Sequence, residues 1–178
     1  MKENDAFFFI GNIPSFKHLL NEVLELTLED WVEYTKRKIA GGAAAENTDT
    51  IPLMYDLEHR INSNILHKNY ERFSVYIDAV IFSTRQQIGE TNIKQAMLTR
   101  LRAGTVIPRH RDMGPLTAKT HRIHIPVTTN EQCIFTIDDE SKNLKPGEIW
   151  IVDNVGRSHG VENNGNIDRV HLIIDAQH

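Results

Sequence analysis

The chain has 178 residues, of which 40% are hydrophobic and 25% are charged, a composition typical of globular proteins that fold in water. Its net charge of -4 gives no support for a nucleic-acid-binding surface. The single cysteine, Cys133, excludes an internal disulfide framework and favours a reducing compartment.

No apolar run approaches the length of a membrane span, and the N-terminal apolar stretch is too short for a signal peptide. We therefore expect a cytoplasmic protein whose partners include neither a membrane nor a nucleic acid. The length predicts a single domain over residues 1–178. Within it, residues 1–90 are expected to be a mainly helical scaffold or lid, and residues 91–178 a β-rich core. The sequence leaves the oligomeric state open.

Residues 14–40 carry a helical pattern. Apolar side chains recur there at three- and four-residue spacing, at Phe16, Leu19, Leu20, Val23 and Leu24. Thr27 suits the start of a second helix, because Asp30 lies where the partner of a capping box is found. Two consecutive helices are therefore predicted in this region.

Residues 50–82 show a mixed pattern. Thr50–Tyr55 is typical of a short extended segment, and Pro52 indicates a sheet edge because proline has no N–H to donate to a ladder. Glu58–Phe82 favours a helix with its apolar side chains near one face. The run Phe73–Phe82 is also rich in residues that favour strands, so a strand is the alternative there.

After about Gly89 the chain changes to short extended segments separated by turn-forming residues. The predicted strands are Ile93–Arg102, Val106–Arg111, Thr120–Thr128, Cys133–Ile137, Glu148–Asp153, His159–Glu162 and Asp168–Asp175. Many short strands at regular spacing indicate a β-barrel or jelly roll. The sequence therefore predicts an α+β fold, with an α-helical N-terminal half packed on a C-terminal barrel.

Three residues of this region form a candidate metal site. His110 and Asp112 point to the same side of a strand, because side chains alternate along it, and His159 follows a later turn. Two histidines and one carboxylate form a facial triad that leaves open positions on Fe(II). Zinc, manganese and nickel accept the same ligands, and histidines on strands are often only hydrogen-bonded structural residues.

Two Arg-x-His pairs flank this candidate site, Arg122/His124 and Arg169/His171. An arginine offers a permanently charged planar fork that suits a carboxylate, and a buried arginine without a partner is costly. Placed beside a metal, Arg169 would suit the distal carboxylate of a dicarboxylate such as 2-oxoglutarate. The alternative is a structural ion pair, for which the candidate carboxylates are Glu148, Asp168 and Asp175.

The motifs PRHRD, HRIHIPV, KPGEIWIVDNVGRSHGVENNG and DRVHLIID, between about Leu98 and Ala176, resemble those of the aspartyl/asparaginyl β-hydroxylase family. The family consists of Fe(II)- and 2-oxoglutarate-dependent dioxygenases on a double-stranded β-helix, a jelly-roll or cupin-like core. The resemblance implies that His110 and His159 bind iron and that Arg169 anchors the distal carboxylate of 2-oxoglutarate. It also implies that the Arg-x-His of Arg122 and His124 contacts cosubstrate or substrate.

Two further residues complete the predicted site. Asp112 completes the predicted iron-binding set, and His171 is assigned with Arg169 to the cosubstrate pocket. The animal enzymes that give the family its name lack a carboxylate at the position of Asp112. Bacterial relatives that hydroxylate free amino acids such as proline have one. The expected substrate is therefore a small molecule or a peptide, either a free amino acid or an Asp/Asn-like or proline-like residue.

The expected activity is hydroxylation at an unactivated C–H bond, with release of succinate and CO₂. The main alternative is a non-catalytic or 2-oxoglutarate-independent cupin-type protein that binds a metal and a small acid. A structural β-sandwich interaction module is a third interpretation, which requires the His, Asp and Arg set to be coincidental.

Overall fold

Two antiparallel sheets make up most of the protein, in a computed structural model that describes residues 5–32, 47–56, 64–66, 69–112 and 119–177. In those residues the helices are α1 (Phe16–Leu24), α2 (Leu28–Val32) and α3 (Tyr70–Ile88). The strands are β1 (Phe7–Asn12), β2 (Thr48–Asp56), β3 (Asn64–Leu66), β4 (Asn92–Leu101), β5 (Thr105–His110), β6 (His121–Thr128), β7 (Cys133–Ile137), β8 (Glu140–Lys142), β9 (Glu148–Val152), β10 (His159–Asn163) and β11 (Arg169–Gln177). Strands therefore occur in both halves of the chain.

The larger sheet has seven strands in the order β1-β9-β6-β11-β4-β2-β3, and the smaller sheet has four in the order β5-β10-β7-β8. From β4 onward the chain passes repeatedly from one sheet to the other, and only the β7–β8 hairpin stays within a sheet. This connectivity is that of a jelly roll, or double-stranded β-helix. The predicted core architecture is confirmed.

The two faces of the larger sheet differ in character. On its outer face, Leu172 of β11 is fully buried in an apolar cluster that includes Phe73 of α3. Arg169 and His171 alternate with such residues along β11 and therefore lie on the inner face. A separate apolar cluster fills the space between the sheets. The candidate site residues consequently face the interior of the barrel.

The prediction of an α-helical N-terminal half is wrong. β1 forms an edge of the larger sheet, where Phe8 is in register with Ile151 of β9, and β2 pairs with β4 along most of its length. The physical reason is that β1, with the sequence FFFIGN, is too short to show a period, and its partner lies far along the chain. The first half of the chain therefore contributes strands to the sheet as well as helices that cover it.

The helical predictions are confirmed only in part. α1 and α2 lie within residues 14–40, of which 33–40 are outside the described part. Of the helix predicted over Glu58–Phe82, residues 58–63 and 67–68 are outside the described part, and the prediction is wrong at Asn64–Leu66, which forms β3 because it pairs with the end of β2. α3 runs through Phe73–Phe82, so the alternative of a strand there is wrong. Its buried residues, spaced three and four apart, are Phe73, Tyr76, Ile77, Val80, Ile81 and Thr84. Among the described helices, none combines the length and apolarity needed to cross a membrane.

Pro52 lies where β2 has a neighbouring strand on one side. It is in register with Met97 of β4, whereas β3 pairs only with the last residues of β2, from Met54 onward. The missing N–H of Pro52 therefore breaks no ladder hydrogen bond to β3, in keeping with the predicted edge position. From Ile93 onward each predicted strand overlaps an observed one, and the prediction missed only the short β8.

Candidate metal centre

Three predicted ligands converge between the ends of β5 and β10. His110 ends β5 and is in register with His159, the first residue of β10. Asp112 follows β5 and forms an isolated bridge with Val155. One ligand atom from each of His110, Asp112 and His159 lies within 4.8 Å of the others. The strand pairing thus brings together residues that are far apart in the sequence.

Both histidines present the same nitrogen to the centre of this cluster. Nδ1 of His110 lies 2.8 Å from the carbonyl oxygen of Pro108, and Nδ1 of His159 lies 3.0 Å from that of Arg157. Because a carbonyl only accepts, each Nδ1 carries the proton and each Nε2 keeps its lone pair. Burial lowers the pKa of His159, which favours its neutral form. In both residues Nε2 is therefore the ring nitrogen that is available to bind a metal ion.

The carboxylate of Asp112 is held by two donors on one oxygen. Its Oδ2 accepts hydrogen bonds from Nη1 of Arg122 at 2.7 Å and from Nδ2 of Asn154 at 3.0 Å. Its other oxygen, Oδ1, lies 3.5 Å from Nε2 of His110. Asn154 is 3% exposed, and its Nδ2 also lies 3.3 Å from Nε2 of His159. One carboxylate oxygen is therefore engaged by the protein, and the other is directed towards a ligand histidine.

Arg122 bridges two carboxylates. Besides Asp112, it donates from Nε and Nη2 to the two oxygens of Asp175, at 2.8 and 3.1 Å. Burial lowers the pKa of Arg122, but Asp175 and Asp112 together outweigh burial and raise it. The structure therefore places Arg122 beside Asp112. The contact of Arg122 with cosubstrate or substrate stays a prediction.

Arg169 is a buried cation without a carboxylate partner among the described residues. It is 3% exposed, and its described hydrogen bond runs from Nη2 to Nδ1 of His171 at 2.8 Å. The carboxylates that were candidate structural partners are engaged elsewhere: Asp175 with Arg122, Glu148 with the indole of Trp150, and Asp168 with the Ala103 amide. Burial lowers the pKa of Arg169 to about 10, so the side chain keeps its charge near neutral pH.

The histidines beside Arg169 leave one buried nitrogen without a partner. Because Arg169 can only donate, Nδ1 of His171 accepts, and the nearby Nδ1 of His124, at 3.1 Å, must carry a proton. Nε2 of His124 is buried and has no hydrogen-bond partner, and neither has Oγ1 of Thr99. Such orphaned polar atoms are costly among the described residues: Oγ1 of Thr99 can donate to an anion, whereas the unprotonated Nε2 of His124 requires a donor.

A cavity lies beside the buried arginine, and one of its lining residues, Phe135, also lies near His159. Its walls are formed by Thr129, Cys133, Phe135, Lys142, Leu144, Val161, Arg169 and His171. The ring centroid of Phe135 lies 5.4 Å from that of His124 and 6.3 Å from that of His159. The cavity places a buried cation beside apolar walls, in the barrel interior that also holds the cluster of His110, Asp112 and His159. Two histidines and a carboxylate suit Fe(II), and a buried arginine without a carboxylate partner among the described residues suits an anion such as 2-oxoglutarate.

Two residues of this site, Asn154 and Asp175, were not predicted as site residues. Asn154 lies in the motif VDNVGRSHG, but nothing in a single sequence shows that it reaches Asp112. Asp175 was considered only as a partner of Arg169, although the alternation along β11 puts it on the same inner face as Arg169 and His171. That shared face is the signal that could have identified it.

Several solved structures resemble this fold. A 2OG-Fe(II) oxygenase family oxidoreductase from Burkholderia pseudomallei is 12% identical, with a TM-score of 0.59, covering 94% of this chain and 92% of its own. The viral collagen prolyl hydroxylase of Paramecium bursaria Chlorella virus-1 is 10% identical, with a TM-score of 0.59 and coverages of 98% and 97%. A prolyl hydroxylase from Trichoplax adhaerens, in complex with a hypoxia-inducible factor peptide fragment, is 12% identical, with a TM-score of 0.60 and coverages of 98% and 84%. At these identities the likeness shows the fold.

A comparison of the sequence with protein families identifies the family to which the chain belongs. A sequence model of aspartyl/asparaginyl β-hydroxylases matches residues 20–178, a span that includes the strands from β2 to β11 and every site residue described above. The match agrees with the fold and with the cluster of His110, Asp112 and His159. The chain therefore belongs to the aspartyl/asparaginyl β-hydroxylase family of Fe(II)- and 2-oxoglutarate-dependent oxygenases.

Proposed function

We propose that the chain hydroxylates an amino acid or an amino-acid residue at an unactivated C–H bond, with release of succinate and CO₂. The observation that carries this proposal is the buried Arg169, which lacks a carboxylate partner in the described part of the chain. It lies in the same barrel interior as the cluster of His110, Asp112 and His159. A buried cation of this kind is costly unless an anionic ligand compensates it, and the distal carboxylate of 2-oxoglutarate is such a ligand.

We assign the metal to Nε2 of His110, Nε2 of His159 and the carboxylate of Asp112. Each imidazole is held in the required tautomer by a backbone carbonyl, so little reorganisation accompanies binding. Fe(II), together with 2-oxoglutarate and O₂, supplies the oxidising power that an unactivated C–H bond requires. The protein's own contribution is to hold these groups in place and to surround them with apolar walls.

We assign Arg169 to the distal carboxylate of 2-oxoglutarate. His171 accepts a hydrogen bond from Arg169 and thereby orients its guanidinium, and Nδ1 of His124 lies 3.1 Å from the same nitrogen of His171. Both histidines therefore belong to the cosubstrate pocket in this proposal. Arg122 uses three N–H groups on Asp112 and Asp175, and its other N–H groups remain for a contact with cosubstrate or substrate.

For the substrate we propose a free amino acid or a peptide residue of the Asp/Asn-like or proline-like kind. The family's name supports aspartyl or asparaginyl residues, and two proteins of similar fold are named prolyl hydroxylases. Asp112 makes the chain resemble bacterial relatives that act on free amino acids.

We also propose that residues 1–178 form a single domain, since β1 and β2 belong to the same sheet as β11. The free buried thiol of Cys133 supports a reducing, cytoplasmic location.

The conversion of 2-oxoglutarate to succinate tests this function. With Fe(II), ascorbate and O₂, the wild-type chain should form succinate above the level of a His110→Ala control, even without the substrate. A thermal shift that depends on 2-oxoglutarate should accompany it. The main alternative, a 2-oxoglutarate-independent cupin-type protein, predicts metal binding with neither effect, and the absence of both would refute the proposal.

The substrate requires a separate screen. Free amino acids and short peptides that contain Asp, Asn or Pro should be incubated with the loaded enzyme and examined for a mass gain of one oxygen. The gain should require both Fe(II) and 2-oxoglutarate and be absent with His110→Ala. Oxygenation of peptides alone, or of free amino acids alone, would decide between the two substrate classes.

A further inference from the structure

A row of buried polar side chains crosses the inner face of the larger sheet and ends at Asp112. Asp175 of β11 is in register with Arg122 of β6 on one side and with Gln95 of β4 on the other. Arg122 binds both oxygens of Asp175, and Nε2 of Gln95 donates to Oδ2 of Asp175 at 3.3 Å. From this row Arg122 reaches Asp112 at 2.7 Å.

This row of side chains provides a rigid support for Asp112, whose own backbone has few contacts with the sheets. Asp112 lies after the end of β5, and its backbone is tied to the fold through a single isolated bridge to Val155. Arg122 and Asp175, in contrast, occupy neighbouring strands in the middle of the larger sheet. The side chain of Asp175 is fully buried, and that of Arg122 is 20% exposed. The orientation of the Asp112 carboxylate therefore depends on donors supplied by other elements.

The two hydrogen-bond donors to Asp112 bind the same carboxylate oxygen and leave the other one without a described donor. Arg122 and Asn154 both bind Oδ2, whereas Oδ1 lies 3.5 Å from Nε2 of His110. With Oδ2 engaged in this way, Oδ1 is the oxygen left to meet a metal ion beside the histidines. Rotation of the carboxylate would break two hydrogen bonds, one of them to a charged donor.

We propose that Arg122 and Asp175 are positioning residues that hold Asp112 as a metal ligand, with Asp175 acting through Arg122. The inference rests on the proposed function, because it takes Asp112 to be a ligand of the metal. It assigns a role to Asp175, and it gives Arg122 a task at the metal site that is separate from any contact with cosubstrate. It also links two features of this chain: a carboxylate at position 112 and the arginine that holds it.

The test is the affinity for Mn(II) alone, measured by titration for the wild type and for Asp175→Asn. The amide keeps the size of the side chain but removes the charge and one of the two acceptor atoms that hold Arg122. Replacing a residue that orients a metal ligand typically weakens metal affinity about 10- to 100-fold. We expect a loss in that range, and an unchanged affinity in a folded variant would overturn the proposal.

Asp49→Asn is the matched control. Asp49 is also buried, at 5% exposure, and its carboxylate is likewise bound by two arginines, Arg100 and Arg102. It lies on a strand that carries no metal ligand. The control should lose stability as Asp175→Asn does, yet bind Mn(II) with wild-type affinity. An equal loss of Mn(II) affinity in both variants would mean that destabilisation alone explains the effect.

A double-variant cycle separates this inference from the proposed function. In an Asp112→Ala background, Asp175→Asn should cost no further Mn(II) affinity, because Asp175 acts through the missing carboxylate. Additive losses would overturn the positioning role. If Asp112→Ala alone left Mn(II) affinity intact, Asp112 would not be a ligand, and the proposed metal site itself would fail.

The cosubstrate provides a further readout. At saturating Mn(II), Asp175→Asn should bind 2-oxoglutarate with an affinity within about twofold of the wild type, since Arg169 remains in place. If Asp175→Asn instead kept its Mn(II) affinity and lost that for 2-oxoglutarate, Arg122 would serve the cosubstrate and not Asp112, and the proposal would be wrong.

Discussion

Arg169 is the residue whose environment is hardest to explain without a ligand. Its guanidinium is buried and charged, and its described partner is a neutral histidine. Desolvating such a charge without a carboxylate partner costs several kcal/mol. A fold under selection for stability alone would replace this side chain by an apolar one. The cost is therefore the expected consequence of keeping an anion-binding group inside the barrel.

This reasoning predicts that Arg169→Met stabilises the ligand-free protein. Methionine retains much of the apolar volume of arginine without its charge, so the free energy of unfolding should rise by about 1–3 kcal/mol. Chemical denaturation of the metal-free protein would measure the change. The same variant should lose the extra stability that 2-oxoglutarate gives to the wild type. A lower stability of the ligand-free variant would contradict the claim that the guanidinium lacks a carboxylate partner among the described residues.

The two buried histidines predict how stability depends on pH. Burial lowers the pKa of His124 and of His171 well below 6.5, and the charge of Arg169 lowers both further. In the unfolded chain both side chains take up a proton near pH 6.5. Below that pH the unfolded state therefore binds more protons, and the free energy of unfolding falls as the pH falls. Each histidine contributes at most about 1.4 kcal/mol per pH unit.

Denaturation curves of the metal-free protein between about pH 7.5 and about pH 5 would test this dependence. The stability should be nearly constant at the upper end and decline below about pH 6.5. His171→Gln provides the control, since it removes one of the titrating groups and should make the decline shallower. A decline of unchanged slope in that variant would show that the buried pair is not its source.

At the residue scale, the candidate ligands could be predicted from the sequence, because side chains two residues apart on a strand lie on the same face of the sheet. His110 and Asp112 are two residues apart, as are Arg169 and His171. The supporting contacts could not, because they join distant segments. Asn154 reaches Asp112 across 42 positions, and Arg122 reaches Asp175 across 53. The alternation along a strand indicates which face a side chain lies on, but a single sequence does not show which distant side chain it meets.

At the scale of elements, the pairing of β5 with β10 builds the metal centre. A Cβ atom added at Gly160 would lie 2.8 Å from the carbonyl oxygen of Ile107 and 3.2 Å from the amide nitrogen of Arg109. These are backbone atoms of the facing strand, which cannot move aside as a flexible side chain would. Gly160 therefore permits the close approach of the two strands that carry His110 and His159.

Gly160→Ala should consequently weaken Mn(II) binding as well as stability. We expect a loss of about 1–3 kcal/mol in the free energy of unfolding from the overpacked strands. Mn(II) affinity should fall because His110 and His159 move apart. Gly104→Ala is a suitable control, since Gly104 has a φ of +68° but its Cβ would meet nothing within 4 Å. It should destabilise the turn and keep the Mn(II) affinity, whereas Gly160→Ala with unimpaired Mn(II) binding would refute this account.

The elements differ in how far the sequence could predict them. α3 is long enough for its apolar face to show a helical period, and β4 to β7 and β9 to β11 are bounded by turn residues. β1 has six residues, and its position follows from pairing with β9 at the other end of the chain. Helix-like spacing around Leu19 correctly predicted α1 but gave no information on the strands that flank it. The prediction of a helical N-terminal half therefore extends the helical patterns of α1 and α3 to neighbouring segments that form strands.

At the scale of the whole molecule, the larger sheet joins the two halves of the chain. β1, β2 and β3 extend the sheet formed by β4, β6, β9 and β11, and helices α1 and α3 pack on its outer apolar face. The inner face of the same sheet carries Arg122, His124, Arg169 and His171. Ligand binding should therefore stabilise the entire fold and not a local segment.

The metal should accordingly stabilise the protein by itself, whereas the cosubstrate should stabilise it only after the metal has bound. Mn(II) at a hundredfold excess over its dissociation constant should add about 2.7 kcal/mol to the free energy of unfolding, and a chelator should reverse the gain. 2-Oxoglutarate should add further stability only when the metal is present, because we propose that both ions share one site. Thermal unfolding under anaerobic conditions would measure both effects. Equal stabilisation by 2-oxoglutarate with and without metal would separate its site from the cluster of His110, Asp112 and His159.

The central claim is that these three residues and Arg169 form one site for a metal ion and 2-oxoglutarate. Calorimetric titration of 2-oxoglutarate into the anaerobic, Mn(II)-loaded chain tests it most directly, with Arg169→Gln and Asp49→Asn as the compared variants. We predict saturable binding of 2-oxoglutarate that requires Mn(II). The affinity should fall at least about tenfold in Arg169→Gln, because charge-assisted hydrogen bonds are lost. It should be unchanged in Asp49→Asn. Binding that persists without metal, or with equal affinity in Arg169→Gln, would contradict the claim.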